Sequence, residues 1–359
     1  MERRIISLNA FITKAENSLG KSAFSFLTGV FVLLLASLLS TPRFITEYHG
    51  NGFTRLSLNP FNFENQEDLR MRILSPLLGW LLYLRGPLFK YFMLFVLSAF
   101  YSGIYVFCRK KNTSPLLSYL TTMILGLSTL SYYQLYFPAY NDPLSYLLIL
   151  LALYNIERPL LSTVLLSLML FNHENTIFLF PFFFLLMLPE EIKIKSFLNA
   201  VSRLVIALIP YLVFRRYIEN HSELEYGLGY YFDPKNMKWT KEHVLPHLAI
   251  GVFQAFKATW ALVLVYMCYS IRAKKSEDVI LFFVLFLSVI MQFVIAHDIS
   301  RLMGLFFPAI LISILKLREY ISEKSIVVLL ISVLVINAFI PSYYIGALDP
   351  IYYGPFWLK

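Results

Sequence analysis

Residues 159–189 read PLLSTVLLSLMLFNHENTIFLFPFFFLLMLP, two apolar runs bounded by prolines and separated by Asn172, His173, Glu174, Asn175 and Thr176. Pro159–Phe171 and Ile177–Leu188 each supply about two-thirds of the ~20 residues a helix needs to cross a hydrocarbon core. One continuous helix of this length would reach roughly 45 Å, well beyond the ~30 Å core. Arg158 flanks one outer end, and Lys193 and Lys195 flank the other. The pattern predicts a broken helical hairpin over 159–188 that enters a membrane and returns, with 172–176 as its tip. Non-helical backbone at membrane depth is tolerated only where protein covers it or where it lines a cavity. His173 and Glu174 are therefore expected to face a polar cavity on the far side.

The rest of the chain suits the same solvent. Of its 359 residues 58% are hydrophobic and 15% charged, with a mean hydropathy of +0.64, outside the range of soluble domains. Ser22–Ser40, Tyr91–Cys108, Val279–Ala296 and Ser325–Ile340 are apolar on every face, without the alternation of a membrane β-barrel. The expected fold is all-α, a polytopic transmembrane helix bundle forming a single domain over 1–359. The net charge of +9 is scattered in short groups, which excludes a nucleic-acid stripe. Arg3–Arg4, Arg109–Lys110–Lys111, Lys193/Lys195, Arg272/Lys274/Lys275 and Lys316/Arg318 fall at alternate span ends. By the positive-inside rule this gives a cytoplasmic N-terminus, about eleven membrane segments and an exoplasmic C-terminus. The leader 1–21 reads as an amphipathic cytoplasmic helix before an uncleaved signal anchor. Cys108 and Cys268 sit at predicted cytoplasmic helix ends and read as small apolar residues, with no disulfide framework or zinc site.

This topology gathers segments 41–90, 137–143, 172–176, 217–247 and 297–301 on the exoplasmic side. The first loop, 41–90, ends in EDLRMRILSPLLGWLLYLRGP, where Ile73–Leu84 is only 12 residues long and predicts an interfacial helix.

An ionisable group inside a bilayer costs on the order of 2.5–3.5 kcal/mol even on permissive scales, so each one marks a pathway, a partner or a site. Asp142 opens a span in YFPAYNDPLSYLLILLALY, Lys257 lies within 246–270, and AHDISRLMGLFFP holds His297, Asp298 and Arg301 at a turn. Glu64, Glu67 and Asp68 can serve as general base or hard-cation ligands, or Glu67 and Asp68 can cap the following helix. Arg70, Arg72, Arg215, Arg216, Lys257 and Arg301 can neutralise a phosphate, or the arginines of the first four can snorkel to headgroups. Glu174 with Arg301, or Asp142 with Lys257, is the buried ion pair expected in place of metal ligation. Adjacent helical residues diverge by about 100°, so neither His173–Glu174 nor His297–Asp298 forms a bidentate metal motif, and no metal site is assigned, although a divalent ion could take part. The loop YGLGYYFDPKNMKWTKEH, 226–243, offers aromatics for sugar rings, prenyl chains or the membrane interface. The absence of a phosphate-cradling glycine loop, a nucleophile elbow and a dinucleotide fingerprint argues against cytosolic nucleotide chemistry.

Taken in order, EDLRMRILSPLLGWL, YNDPLSYLLILLALY, LMLFNHENTIFLFPFFFLL and SRLMGLFFPAILI resemble the motifs of the GT-C class of membrane glycosyltransferases. The resemblance implies a GT-C-like fold and inverting transfer of a sugar from a polyprenyl-phosphate carrier on the exoplasmic face of a bacterial cytoplasmic membrane, without a cofactor. It implies Asp68 or Glu67 as general base, and Arg70, Arg72, Asp142, His173, Glu174, Lys257, His297, Asp298 and Arg301 as the substrate-binding set. The implied partners are the lipid bilayer, the polyprenyl-linked donor and a glycan, lipid or protein acceptor. The first-loop acids come about 25 residues after the first span, which keeps Glu47 and Glu64 as alternatives. A transporter or lipid flippase, a polysaccharide polymerase or ligase, and a membrane scaffold are the rival expectations.

Overall fold

The computed structural model describes residues 2–61, 68–189, 191, 193–221, 233–294, 296–346 and 350–354. Within them six helices are long and apolar enough to cross a membrane: Lys21–Leu39, Gly86–Lys110, Ile194–His221, Met237–Arg272, Ser276–Phe293 and Ile299–Glu319. Pro115–Gly126, Asp142–Tyr154, Pro159–Asn172 and Glu174–Met187 are shorter apolar helices. The chain is thus a helical bundle of the kind that suits a multi-pass membrane protein.

Burial separates centre from rim. In Ile299–Glu319 83% of the apolar window is buried, against 22% in Ile194–His221. On that outer helix Val205, Ile206, Ile209, Leu212 and Val213 are all half exposed or more. Such a contiguous apolar surface is stable only against another apolar phase. Inside, Lys21–Leu39 lies close against Gly86–Lys110 because Gly29 sits on the Ser98 carbonyl and the Ser102 side chain, where a Cβ would overlap.

One end of the bundle is laced by ion pairs. Arg109 meets Glu16 at 3.1 Å, Arg318 meets Glu323 at 3.6 Å, Lys316 holds Asp278, and Lys275 holds Glu319. Glu16 belongs to the leader helix Glu2–Leu19, which turns Ile12 and Glu16 inward and leaves Ile6 and Phe11 exposed. Cys108 is buried and Cys268 exposed, both as free thiols.

The stretch 159–188 folds back on itself. Arg203 donates to the Ile156 carbonyl at 3.1 Å, and the Phe184 ring lies 5.3 Å from Phe197, so both outer ends reach the first part of Ile194–His221. Phe171 instead meets Tyr211 and Phe214, at 5.8 and 5.3 Å, farther along that helix. The two arms lean on different neighbours, Pro159–Asn172 on Asp142–Tyr154 and Phe180–Met187 on Ser276–Ile290. The hairpin is splayed, and its tip reaches the end opposite the ion-pair lacing.

Two features escape a hydropathy reading. In the first loop a helix His49–Leu56 precedes the 3-10 turn Asp68–Arg72 and the helix Leu74–Leu81. Its sequence HGNGFTRL has low helix propensity, but Gly50 lets the backbone rest on the Pro138 carbonyl, so tertiary contact overrides propensity. At the C-terminus the bundle departs from all-α. Pro341 follows the helix Glu323–Phe339, and the β-favouring segments β1 Ser342–Tyr344 and β2 Ile351–Gly354 pair antiparallel.

Candidate functional site

At the end opposite the ion-pair lacing, the hairpin tip is tied down by amides. Helix Pro159–Asn172 stops at His173, whose extended backbone (φ −158°, ψ 114°) turns the chain. The Asn172 amide donates to the Asn141 carbonyl at 2.9 Å and to the Ser145 hydroxyl at 2.8 Å, while its oxygen accepts from Ser75. Asn141 returns a bond to the Asn172 carbonyl, and Thr176 caps the His173 carbonyl at 2.7 Å. One side chain therefore joins the tip to the first-loop helix and to the start of Asp142–Tyr154. The Asn141 amide and the Thr176 hydroxyl meet the Asn172 and His173 carbonyls that the helix break would orphan.

With the tip fixed, Glu174 faces the first loop. Arg72 grips it in bidentate fashion, Nη2 to Oε1 at 2.7 Å and Nε to Oε2 at 2.9 Å, and His173 Nδ1 stands 3.8 Å from Oε2. A second pair sits at the start of Ile299–Glu319, where Arg301 reaches Asp298 at 3.2 Å. The Arg301 guanidinium also lies over the rings of Tyr133 and Tyr140, 5.5 and 5.4 Å from their centroids. Tyr344 of β1 donates its hydroxyl to Asp298, and Ser300 N bonds the Ile345 carbonyl at 3.1 Å, so the C-terminal hairpin is fastened to this turn. Asp142 accepts from Gln134 at 3.0 Å and lies within electrostatic reach of Arg301.

These placements correct both expected ion pairs. The partner of Glu174 is Arg72, not Arg301, because the first-loop turn descends onto the hairpin tip while Asp298, three residues earlier on the same turn, claims Arg301. Asp142 does not meet Lys257. That ammonium donates to the Ile340 carbonyl at 2.7 Å and to Ser342 Oγ at 2.5 Å. It serves the carbonyl end of Glu323–Phe339, where a cation complements the helix dipole. Asn337 completes this joint by bonding Ala258 N at 2.9 Å and Thr259 Oγ1 at 2.8 Å.

His49 joins the two ion pairs. It lies 5.9 Å from the Tyr140 ring and within electrostatic reach of Arg72, Glu174, Asp298 and Arg301. The residue is exposed to water, with the Tyr140 ring on one side of it. Burial first, then the Arg72 and Arg301 charges, push its imidazole down to about 4 from the ordinary 6.5. For Asp298 burial works against the charged form, but Arg301 and the Tyr344 hydroxyl outweigh it and hold the carboxyl below its usual range. The Arg72, Glu174 and Asp298 side chains keep 14%, 19% and 25% exposure, so water reaches all three, and with His49 they outline the candidate recess. Among the described residues, Arg301 Nε and His173 Nε2 are buried without a hydrogen-bond partner. Such buried groups are ordinarily met by protein, ordered water or a bound molecule.

The other expected residues fall as follows. Arg70 is buried at 2% exposure in the same turn as Arg72. Asp68 begins that turn, with only its backbone described, and Glu64 and Glu67 lie outside the described residues. Glu47 pairs with Arg43 at 3.0 Å at the surface. His297 packs 4.3 Å from the Trp239 ring, with its Nε2 3.3 Å from Thr240 Oγ1. Arg215 pairs with Glu219 at 2.9 Å and lies within electrostatic reach of the Tyr211 hydroxyl, which Glu174 and Arg72 also reach electrostatically. Of the aromatic loop 226–243, only Asp233–His243 is described, mostly as the helix Pro234–His243. Among the described residues, no three His, Cys, Asp or Glu side chains cluster as metal ligands would. His49, Gln134 and the tyrosines 133, 140 and 344 were not singled out from sequence; for Gln134, Tyr133 and Tyr140 the available signal was the aromatic density of SYYQLYFPAYND, 131–142. No family model, no curated protein and no solved structure matches the chain.

Proposed function

We propose that the chain is an inverting membrane glycosyltransferase that takes a sugar from a polyprenyl-phosphate donor at the site end of the bundle. The observation that carries this reading is convergence. The turn Asp68–Arg72 brings Arg72 onto Glu174, and this pair and the Asp298–Arg301 pair both lie within electrostatic reach of the exposed His49. The reading takes about eleven membrane segments, a cytoplasmic ion-paired end, an exoplasmic site end and a GT-C-like arrangement in a bacterial cytoplasmic membrane.

In this mechanism Asp68 or Glu67 accepts the proton of an acceptor hydroxyl, whose oxygen attacks the anomeric carbon opposite the phosphate. The bond from that carbon to the phosphate oxygen breaks, and polyprenyl phosphate leaves with the electron pair. Arg301, with its unmet Nε–H, and Arg72 stabilise the charge that develops on the leaving phosphate. A transporter would open to both sides, and the ion-paired far end of the bundle gives that reading less support. The test incubates purified protein in lipid nanodiscs with synthetic polyprenyl-phosphate sugars and follows release of polyprenyl phosphate. Asp68→Asn or Glu67→Gln is expected to abolish release by about 10²-fold or more at wild-type expression. Full activity in both variants removes the assignment.

A further inference from the structure

A second recess lies beside the site on the outer flank of the bundle. It encloses about 550 Å³ between the helix Pro234–His243, the start of Leu248–Phe256 and the end of Ser276–Ile290. That volume falls within the roughly 300–1,000 Å³ of small-molecule sites. Its walls are the apolar side chains of Met237, Leu245, Leu248, Ile290 and Phe293, and its rim carries Lys238 and Lys241. Met291, beside Ile290, and Leu245 are both more than half exposed, so the groove opens onto the apolar outer surface of the bundle. Lys238 lies 3.9 Å from Glu242, a long surface contact that leaves most of the ammonium's hydrogen-bonding capacity unused.

An apolar slot facing the bilayer, rimmed by two ammonium groups at the end of the spans, matches a molecule with a hydrocarbon tail and an anionic head. The geometry points to an anionic phospholipid of the surrounding bilayer, with its phosphate at Lys238 and Lys241 and one acyl chain along Leu248, Ile290 and Phe293. The slot is mechanically continuous with the catalytic recess. Thr240 lines it and approaches His297 Nε2 at 3.3 Å, Trp239 packs on the His297 ring, and the next residue, Asp298, holds Arg301. Occupancy of the slot therefore fixes the helix that steadies His297 and the turn bearing Asp298. Lysines near an anionic interface act as point charges that need no fixed donor geometry, which suits a mobile headgroup.

The test places the full chain in phosphatidylcholine nanodiscs containing phosphatidylglycerol that carries a tail diazirine. The expected crosslinks fall on Leu245, Leu248, Ile290 or Phe293. The Lys238→Gln/Lys241→Gln variant is expected to lose about thirtyfold in phosphatidylglycerol affinity, from roughly a factor of five per lysine, while Lys238→Arg/Lys241→Arg retains it. Millimolar inorganic phosphate should not compete, since it lacks the tail. Crosslinks confined to other surfaces, unchanged affinity in the glutamine variant, or displacement by phosphate alone would each overturn the proposal. Because binding is read without turnover, the result stands apart from the transferase reading.

Discussion

The Glu174 carboxylate and the Arg72 guanidinium each lie deep in the protein while keeping some contact with water. Removing one partner of a fully buried pair costs about 3–5 kcal/mol, because the survivor stays desolvated and uncompensated. Here residual access lowers the expectation for Glu174→Gln to about 2–3 kcal/mol, read as a lower thermal midpoint in detergent. The cycle with Arg72→Gln should recover at least about 1 kcal/mol of coupling; strictly additive losses would show that the two side chains do not act as a pair. His49 supplies a pH signature. Its imidazole is depressed in the fold, so the stability it contributes is complete above its ordinary 6.5 and is lost as pH falls toward about 4. His49→Gln is expected to flatten unfolding midpoints across that window, and an unchanged pH slope would contradict the assignment. The charged residues were legible in sequence because an ion in an apolar run demands a reason. Their pairing was not, since which arginine meets Glu174 depends on how a loop about 100 residues away in sequence descends onto the tip. The tyrosines were also hidden, because membrane-interface aromatics have the same composition as a cation–π wall.

Among the elements, the proline-bounded hairpin was visible from span arithmetic alone, because neither arm is long enough to cross. The device that secures its break is a tertiary one. Asn172 donates to Asn141 and Ser145 and accepts from Ser75, three partners that no local pattern links. Asn172→Ala would leave the Ser75 and Ser145 hydroxyls short of a partner, at about 1–3 kcal/mol for each buried group left unmet, while the Asn141 carbonyl keeps the Leu144 and Ser145 N–H groups. The expected outcome is faster proteolysis near residues 172–180 and weakened Arg72–Glu174 coupling, while Asn172→Asp should recover only the bond from Ser75. Proteolysis and coupling equal to wild type would mean that the break is held by its flanking helices instead. The helix His49–Leu56 and the strands Ser342–Tyr344 and Ile351–Gly354 lay beyond sequence reading for the same reason. Each is stabilised by a surface from elsewhere in the chain, Pro138 in one case and the Ser300 turn in the other.

At the scale of the molecule, the ion-pair lacing and the candidate site lie at opposite ends. Ile299–Glu319 runs from Arg301 at the recess to Lys316 and Arg318 at the ion-paired end, and Ser276–Phe293 runs the other way from Asp278. Glu323–Phe339 then climbs from Glu323, beside Arg318, to the Lys257 joint next to the recess. If the bundle crosses a bilayer in this orientation, an impermeant maleimide must see the two ends from different sides. Tyr48→Cys and His243→Cys, placed in a Cys268→Ser background, should be labelled only from the face that holds the recess. Lys111→Cys, Lys275→Cys and native Cys268 should be labelled only from the other face in sealed vesicles of known sidedness. Cys108 is buried and should stay silent in both, so its labelling would report loss of the fold. Labelling of all positions from one side would mean that these helices do not alternate across the bilayer. The expected span order, and with it the exoplasmic site, would then fail whatever the chemistry of the recess.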